Sequence, residues 1–458
     1  MVLAAGHGTR MRSRTPKVLH PVAGRPMVTC VLDALAEAGF ADIVVVADAA
    51  SGEVARAVDG RARIAVQSGA RGTAEAVLAS KSATTEAARL LIVNGDLPLL
   101  EGATIAELAA YHVASSATLS LLTAVVSEPA GYGRVVRDMP GPGRVRAVIE
   151  QSEVSDATAH IDEVNVGLYA VESAWLWTAI EGLPLREGGE RYLTDIVATA
   201  LEQGQRVATH TCEDAAEAQQ VNTRVDLARA EAVARRRILE RVMLGGVTMI
   251  DPDHTYIDAG VEVGEDTVLL PGVHLVGGTR VGSGCRIGPD TMLRDMLVGD
   301  GCTIGPSTLE GSTLEPGVDI GPYCRIRPGS RLESGVHLGN FAEVKASRIG
   351  AGTAIGHFSY IGDSDIGSGV NIGAGTITVN YDGKAKYRTV VGDDAFIGSD
   401  SLLIAPIEVG PRSSTAAGSV VTRDVPADTQ VLGMPARPRP STNGARGATE
   451  EAAGPTGA

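Results

Sequence analysis

Ile349-Gly-Ala-Gly-Thr-Ala-Ile355-Gly-His357-Phe-Ser-Tyr360-Ile361-Gly-Asp-Ser-Asp-Ile366-Gly-Ser-Gly-Val-Asn371-Ile372-Gly373 decides the architecture of the second half of this chain. An aliphatic residue followed by glycine returns at intervals of six or close to six. The pair recurs upstream at Val263-Gly264, Val281-Gly282, Ile287-Gly288, Val298-Gly299, Ile304-Gly305, Ile320-Gly321 and Leu338-Gly339. It continues downstream at Val391-Gly392, Ile397-Gly398 and Val409-Gly410. Chance produces a few such pairs, not a series of this length. The period is that of a parallel β-helix, in which each aliphatic points inward and small residues turn the corners.

Before Asp251 the texture is different. Val2–Ala5, Ile43–Val46, Leu91–Val93 and Leu119–Val126 are short apolar runs that predict buried strands. Between them, Met27–Gly39 and Thr73–Ser80 carry helical spacing. The alternation predicts an α/β domain with a largely parallel sheet and ligands at the carboxyl ends of its strands. The Gly6–Arg10 loop and Asn94-Gly95-Asp96 both fall at such ends. Residues 223–244 form a helical pattern with a basic face that stops at Gly245-Gly246, read as a solvated linker. Residues 438–458 are rich in Pro, Gly, Ala, Ser and Thr, lack periodicity and are expected to be disordered. The expected organisation is a catalytic domain over 1–222, a linker helix over 223–250, a β-helix over 251–437 and the tail.

Bulk composition narrows the function. A chain of 458 residues suits two to three domains with ordinary cores. Aromatics are only 3% and glycines number 56, which points to many turns and small-residue packing. A net charge of −15 argues against a nucleic-acid partner, so any phosphate site must be local. Cys30, Cys212, Cys285, Cys302 and Cys324 show no zinc spacing and read as reduced, buried thiols. No apolar run is long enough to span a bilayer and no leader pattern occurs, so a soluble, cytoplasmic protein is expected.

Leu3-Ala-Ala-Gly6-His-Gly8-Thr9-Arg10-Met11-Arg-Ser13-Arg-Thr-Pro16-Lys17 supplies such a local site. Paired glycines let backbone N–H groups approach an anion, and a helix opening there adds its positive end. Arg10 and Lys17 add full charges for a polyphosphate. The pattern lacks the Gly-Lys-Ser/Thr of a P-loop, and Met11 stands where a dinucleotide fingerprint has its third glycine. The fifteen-residue arrangement resembles the loop of sugar-nucleotide pyrophosphorylases.

Both halves together resemble the family of bifunctional bacterial N-acetylglucosamine-1-phosphate uridyltransferase / glucosamine-1-phosphate N-acetyltransferases, over roughly residues 1–437. The resemblance implies a Rossmann-like nucleotidyltransferase domain, a left-handed parallel β-helix and a homotrimer formed through the helices. It also implies Mg²⁺ as cofactor, with UTP and acetyl-CoA as co-substrates. In the first domain Leu3, Ala4, Gly6, Arg10 and Lys17 match the nucleotide loop, with Arg10 and Lys17 in the catalytic role. Gln67, Gly72 and Thr73 match a uridine segment, where a side-chain amide suits the edge of uracil. Gly133, Glu150, Asn165, Tyr192 and Thr194 match an acetamido-sugar pocket. Asp96 and Asn222 match a magnesium pair, an oxygen donor set suited to an ion that keeps waters and phosphate ligands.

In the β-helix, Arg327, Lys345, Tyr360, Asn371 and Lys386 match the family's glucosamine-1-phosphate site. His357 matches the catalytic base, needed because an ammonium must lose a proton before attacking a thioester. Glu343 is the candidate for orienting its ring. Ala374, Asn380, Tyr381, Ser399 and Ala417 match the acetyl-CoA segment, with a backbone N–H near Ala374 as oxyanion donor.

The chain departs from the family in places. It begins inside the first strand, which in the family runs several residues longer upstream: either the true start lies earlier, or strand one is clipped and the sheet under the nucleotide loop is weakened. Ala70 replaces a polar residue of the uridine segment, and Asn94 stands where an aromatic is common. Arg191 replaces an aromatic of the sugar pocket, and Val379 a frequent cysteine. Gly433-Met-Pro-Ala-Arg437 looks more like generic hexapeptide acyltransferases. Two rivals compete: a single-activity nucleotidyltransferase whose β-helix only oligomerises or regulates, as in glucose-1-phosphate pyrophosphorylases, and a non-catalytic scaffold built on the β-helix. His357 with Asn380-Tyr381 argues against the first, Lys17 and Asp96 against the second.

Overall fold

The computed structural model describes residues 1–438 except 7, 49–51, 70–71, 140–142 and 187–188. The expectation for Ala70, and that for the tail beyond 438, therefore lie outside the described residues. The chain forms two compact units, Met1–Ile238 and Leu239–Ala458.

The first unit contains β1 (Val2–Leu3), α1 (Met27–Glu37), β2 (Val44–Asp48), β3 (Arg63–Gln67), α2 (Thr73–Ala79), β4 (Arg89–Asn94), α3 (Gly102–Ser115) and β5 (Leu119–Val125). It continues with β6 (Gly133–Arg137), β7 (Val145–Ile149), β8 (Glu163–Glu172), α4 (Ser173–Glu181), α5 (Ile196–Glu202), β9 (Val207–Thr211) and α6 (Arg224–Leu244). The main sheet runs β9-β5-β8-β4-β1-β2-β3, and β6 pairs with β8 and β7. Strands β1 to β4 are mutually parallel where they pair, as the α/β alternation predicts. Strand β8 is antiparallel to both β4 and β5. It follows the β6–β7 hairpin with no crossover helix between, so the chain returns in the opposite direction.

Alternate residues of each buried strand feed opposite layers. Val45 and Val93 pack with Val31, Leu35, Ile105 and Leu108 of α1 and α3. Val44, Val46 and Ile92 face the other way, against Val77, Leu176 and Ile196 of α2, α4 and α5. Although only two residues long, β1 is hydrogen-bonded on both sides, with Val2 opposite Val45 and Val93. It delivers the glycine loop to the carboxyl edge of the sheet.

Helix α6 is more than the solvated linker expected. Ala230 is fully buried beside Met11, Val22, Met27, Leu99 and Val221. Arg237 donates to the Leu99 carbonyl at 2.7 Å and to Asp214 at 2.6 Å. Its small residue permits close approach, and its basic face is partly used for anchoring. The boundary between the units falls inside this helix.

Among the described residues the second unit is built from three sheets of 12, 10 and 9 strands, parallel throughout except for the antiparallel hairpin of Gln430–Gly433 and Ala436–Pro438 that ends the first. The first face runs from Thr248–Met249 upward, the second from Tyr256–Ile257 and the third from Glu262–Val263. On the first face Leu269, Ile287, Ile304, Ile320, Leu338, Ile355, Ile372 and Ile397 stand in register, one per coil, all buried. The aliphatic of each six-residue repeat is therefore an inward rung. The glycine after it answers to crowding, because coils stack about 4.8 Å apart. A Cβ on Gly339 would lie 1.8 Å from the Gly356 carbonyl oxygen, and one on Gly350 2.4 Å from the Gly367 carbonyl carbon. All five cysteines are free, with Cys285, Cys302 and Cys324 buried in the β-helix.

Candidate active sites

In the first unit, the loop after β1 is pinned between its neighbours. Ala4 N–H donates to the Val46 carbonyl at 2.8 Å, and Gly95 N–H to the Leu3 carbonyl at 2.9 Å. Gly8 has φ of +56°, and a Cβ there would sit 2.6 Å from Lys17 Cβ. Glycine at this position thus clears the path that Lys17 takes inward. The Lys17 ammonium donates to Asp96 Oδ2 at 2.5 Å and to Asn222 Oδ1 at 3.2 Å. Arg10 donates to the same Asn222 oxygen at 3.0 Å. Val221 N–H closes on the Asp96 carbonyl at 3.1 Å, tying together two segments distant in sequence. Asn222 is held in turn by Asp226, which accepts from its N–H at 3.1 Å and from Thr223 at 2.8 Å. Asp226 caps the start of α6 reciprocally with Thr223, whose hydroxyl accepts the Asp226 N–H at 3.2 Å; Thr223-Arg-Val-Asp226 is a capping-box spacing that could have marked it in the sequence.

Asp96 Oδ1 is buried and has no hydrogen-bond partner among the described residues. A buried carboxylate oxygen left unpaired is costly. With the Asn222 amide oxygen alongside, the donor set fits a hard divalent cation that takes its remaining ligands from water and phosphate.

The uridine and sugar segments are zipped together. Gln67 is buried and its amide donates to the Gly72 carbonyl at 3.3 Å. Gly72 has φ of +96°, and a Cβ there would meet the Arg191 carbonyl oxygen at 2.2 Å. Ala74 N–H bonds that same oxygen at 3.1 Å, and Leu193 N–H donates to Thr73 Oγ1 at 2.8 Å. Arg191, in place of an aromatic, pairs with Glu75 at 2.7 Å. Gly133 lies opposite Asn165 in register, and Asn165 Nδ2 donates to the Tyr169 hydroxyl at 2.6 Å. Thr194 donates to Glu150 at 2.7 Å. Burial pushes the Glu150 carboxyl above the usual carboxylate range, with the Thr194 bond opposing. Tyr192 carries the Arg186 guanidinium over its ring at 5.9 Å, and Arg186 pairs with Glu153 and Asp195.

In the second unit, Arg327 and Lys345 stand in register on adjacent strands of the second face, as do Glu343 and Tyr360. Arg327 pairs with Glu343 at 3.1 Å. The Glu343 carboxylate therefore serves Arg327, and no bond to His357 is formed among the described residues. Lys345 pairs with Asp363 at 3.1 Å. Lys386, on the exposed loop after Asn380, faces Lys345, whose like charge holds the Lys386 amine below the usual lysine range. Gly362 leaves a recess: a Cβ there would meet the Tyr360 hydroxyl at 2.4 Å and Asn380 Nδ2 at 2.8 Å. Tyr381 and Lys386 pair across the loop as an isolated bridge.

His357, Ala374, Ser399 and Ala417 form one column. Each lies two residues beyond a rung of the registered set Ile355, Ile372, Ile397 and Thr415. The corners are bonded directly: Gly375 N–H to the Phe358 carbonyl at 2.7 Å, Asp400 N–H to that of Ala374 at 2.7 Å, Gly418 N–H to that of Ser399 at 2.8 Å. The Ala374 N–H has no acceptor among the described residues. Asn371 sits on the strand leading to this column, between Ala354 and Phe396, and is exposed.

Comparison with known proteins agrees with both halves. Residues 1–194 match the MobA-like NTP transferase domain, and residues 260–295 match the bacterial transferase hexapeptide repeats. A bifunctional protein GlmU from Trichlorobacter lovleyi is 43% identical over 437 residues, covering 94% of this chain and 95% of that protein. One from Carboxydothermus hydrogenoformans is 44% identical over 430 residues, covering 93% and 95%. The chain belongs to the GlmU family. Its first unit is the Rossmann-like nucleotidyltransferase of that family, and its second is the left-handed β-helix. A solved structure of a putative glucose-1-phosphate thymidylyltransferase from Bacillus anthracis is 21% identical, with a TM-score of 0.44, over 51% of this chain and 94% of that one. In this GlmU-family chain the NTP transferase match contains Lys17, Asp96, Glu150 and Asn165.

Proposed function

We propose that the chain makes UDP-N-acetylglucosamine from glucosamine-1-phosphate in two steps, acetyl transfer in the second unit and uridylyl transfer in the first. The observation that carries this reading is the pairing of two separate cation clusters, Lys17–Arg10 and Arg327–Lys345–Lys386, each beside the polar groups its chemistry needs.

For uridylyl transfer, the phosphate oxygen of N-acetylglucosamine-1-phosphate attacks the α-phosphorus of UTP, and the bond to the β-phosphate breaks to release pyrophosphate. No protein nucleophile is required, so positioning and charge neutralisation carry the barrier. Arg10 and Lys17 neutralise the phosphates. The glycine loop of Leu3, Ala4 and Gly6 admits them, while Gln67, Gly72 and Thr73 seat the uracil. Gly133, Glu150, Asn165, Tyr192 and Thr194 hold the acetamido sugar. Asp96 and Asn222 would hold Mg²⁺, which when bound shields phosphate charge.

For acetyl transfer, Arg327, Lys345 and Lys386 hold the sugar phosphate, with Tyr360 and Asn371 beside it. His357 removes a proton from the ammonium. The freed amine attacks the thioester carbonyl of acetyl-CoA, the C–S bond breaks, the attacking nitrogen releases its second proton to solvent as the amide forms, and the thiolate takes up the proton held by His357. Ala374, Asn380, Tyr381, Ser399 and Ala417 line the acetyl-CoA side. The Ala374 N–H is the free donor for the developing oxyanion. The functional limits are 1–222 for uridylyl transfer and 251–437 for acetyl transfer, joined across 223–250.

The β-helix assembles three copies, and the protein works in the cytoplasm without nucleic-acid or membrane partners. Five free thiols support this setting, and no helix of the described residues is long and apolar enough to cross a membrane. The test is two assays on one preparation. Pyrophosphate release from UTP and N-acetylglucosamine-1-phosphate, and CoA release from acetyl-CoA and glucosamine-1-phosphate, are both expected. Absence of either overturns the two-step reading.

A further inference from the structure

One carboxylate in the second unit joins groups that the proposed site assigns to different substrates. Asp363 accepts from the Lys345 ammonium at 3.1 and 3.3 Å and from Asn380 Nδ2 at 2.5 Å. Lys345 stands with the sugar-phosphate cations, whereas Asn380 opens the loop on the acetyl-CoA side. The Asn380 amide also reaches the Tyr360 hydroxyl at 3.5 Å, in the recess left by Gly362. Asn380 is 8% exposed, and its carbonyl accepts the Tyr387 N–H at 2.8 Å, closing the base of the loop that carries Lys386.

The backbone fixes the carboxylate in place. Asp363 has φ of +50°, a left-handed conformation that aspartate tolerates better than most residues. Its N–H donates to the Lys345 carbonyl at 3.0 Å, and its own carbonyl accepts from Thr389 N–H at 3.4 Å. Ile361 and Ile366 are five residues apart, where the neighbouring repeats span six, and Asp363 turns this shortened corner. A negative charge beside a phosphate-binding cluster works against phosphate unless it does something else. Here it aims Lys345 and orients Asn380 through one group.

We propose that Asp363 is a positioning residue for acetyl transfer, a shared counter-ion that sets Lys345 for the sugar phosphate and locks Asn380 on the acetyl-CoA side. The proposal rests on the site assignment given above. An incoming phosphate competes with Asp363 for Lys345, so the carboxylate holds the ammonium ready without retaining it. Asn380 has no such competitor and keeps its bond throughout.

Two substitutions suit the left-handed backbone. Asp363→Asn keeps the shape and removes the charge; Asp363→Gly removes the side chain at a conformation glycine accepts freely. Steady-state CoA release is measured with each substrate varied in turn, alongside thermal unfolding. Loss of a charge-assisted hydrogen bond predicts a fall of about tenfold in kcat/KM for acetyl-CoA. The KM for glucosamine-1-phosphate is expected to stay level or fall, because the competing anion is gone. The effect should vanish in an Asn380→Ala background, since coupled residues are non-additive.

Asp363 is only structural if both substrates suffer equally in step with a lowered unfolding temperature, and the proposal is then wrong. It is equally wrong if both variants keep wild-type constants, or if their losses add to those of Asn380→Ala. Should Lys345→Ala and Asn380→Ala themselves leave CoA release unchanged, the underlying site assignment fails instead.

Discussion

The Lys17 ammonium lies 2.5 Å from one oxygen of Asp96, while the other oxygen of that carboxylate is buried without a partner among the described residues. One carboxylate is thus divided between the Lys17 ammonium and an unpartnered oxygen, the end that the proposed function assigns to Mg²⁺. Asp96→Asn keeps the shape and weakens the metal end. Removing one electrostatic contributor of this kind costs roughly 10²- to 10³-fold in rate. Pyrophosphate release should fall by that amount, with the Mg²⁺ optimum moved to higher concentration. An unchanged Mg²⁺ titration would place the cation elsewhere.

Gly72 joins the uridine and sugar segments by close contact with Arg191. Gly72→Ala forces a side chain to within 2.2 Å of a backbone oxygen at φ of +96°. Strain of this class costs about 1–3 kcal/mol. The first unit should unfold earlier in denaturant, and KM should rise for both UTP and the sugar phosphate. A change confined to one substrate would contradict the zipped arrangement.

Glu150 carries a pH signature. Its carboxyl titrates above the unfolded value of 4.5 because burial disfavours the charge. Between those two values the native state binds more protons than the unfolded one, so stability falls as pH rises through that window. Below it the penalty is absent. Glu150→Gln should therefore unfold at higher temperature than the parent at pH 7–8, with the gap closing toward pH 4. A gap that widened on acidification would contradict the assignment.

Much of this was legible in the sequence because each rung of the β-helix repeats the same local problem. Ile355, Ile372 and Ile397 are visible as a period, and the glycines beside them are dictated by coil spacing. Strands such as Val44–Asp48 are short apolar runs with no rival reading. The reversed strand Glu163–Glu172 was not legible, because direction is set by the missing crossover and not by composition. Ala230 lies in the charged helix read as a solvated linker, yet it is fully buried, and its small size lets the helix pack. Asp363 and Tyr169 act by holding other residues, and such partners carry no motif. The pairing of Glu343 with Arg327 was not legible either, since Arg325 and not Arg327 is the residue opposite Glu343 in register.

Lys345 holds the Lys386 amine below the usual lysine range, with the Asp363 charge opposing. A phosphate relieves that repulsion, so Lys386→Ala should raise KM for glucosamine-1-phosphate by about tenfold, the scale of one charged contact, with a smaller change in kcat. Inorganic phosphate should compete with the sugar phosphate in the parent and compete more weakly in the variant. Equal inhibition in both would remove Lys386 from the phosphate site.

The central claim is that one chain carries two independent transfer sites, and a crossover of single substitutions tests it most directly. Asp96→Ala and His357→Ala are assayed beside the parent for pyrophosphate release and for CoA release. Asp96→Ala should lose the first by at least about 100-fold and keep the second, and His357→Ala should do the reverse. If His357→Ala leaves CoA release intact, or if either substitution silences both reactions in a folded protein, the two-site assignment is contradicted.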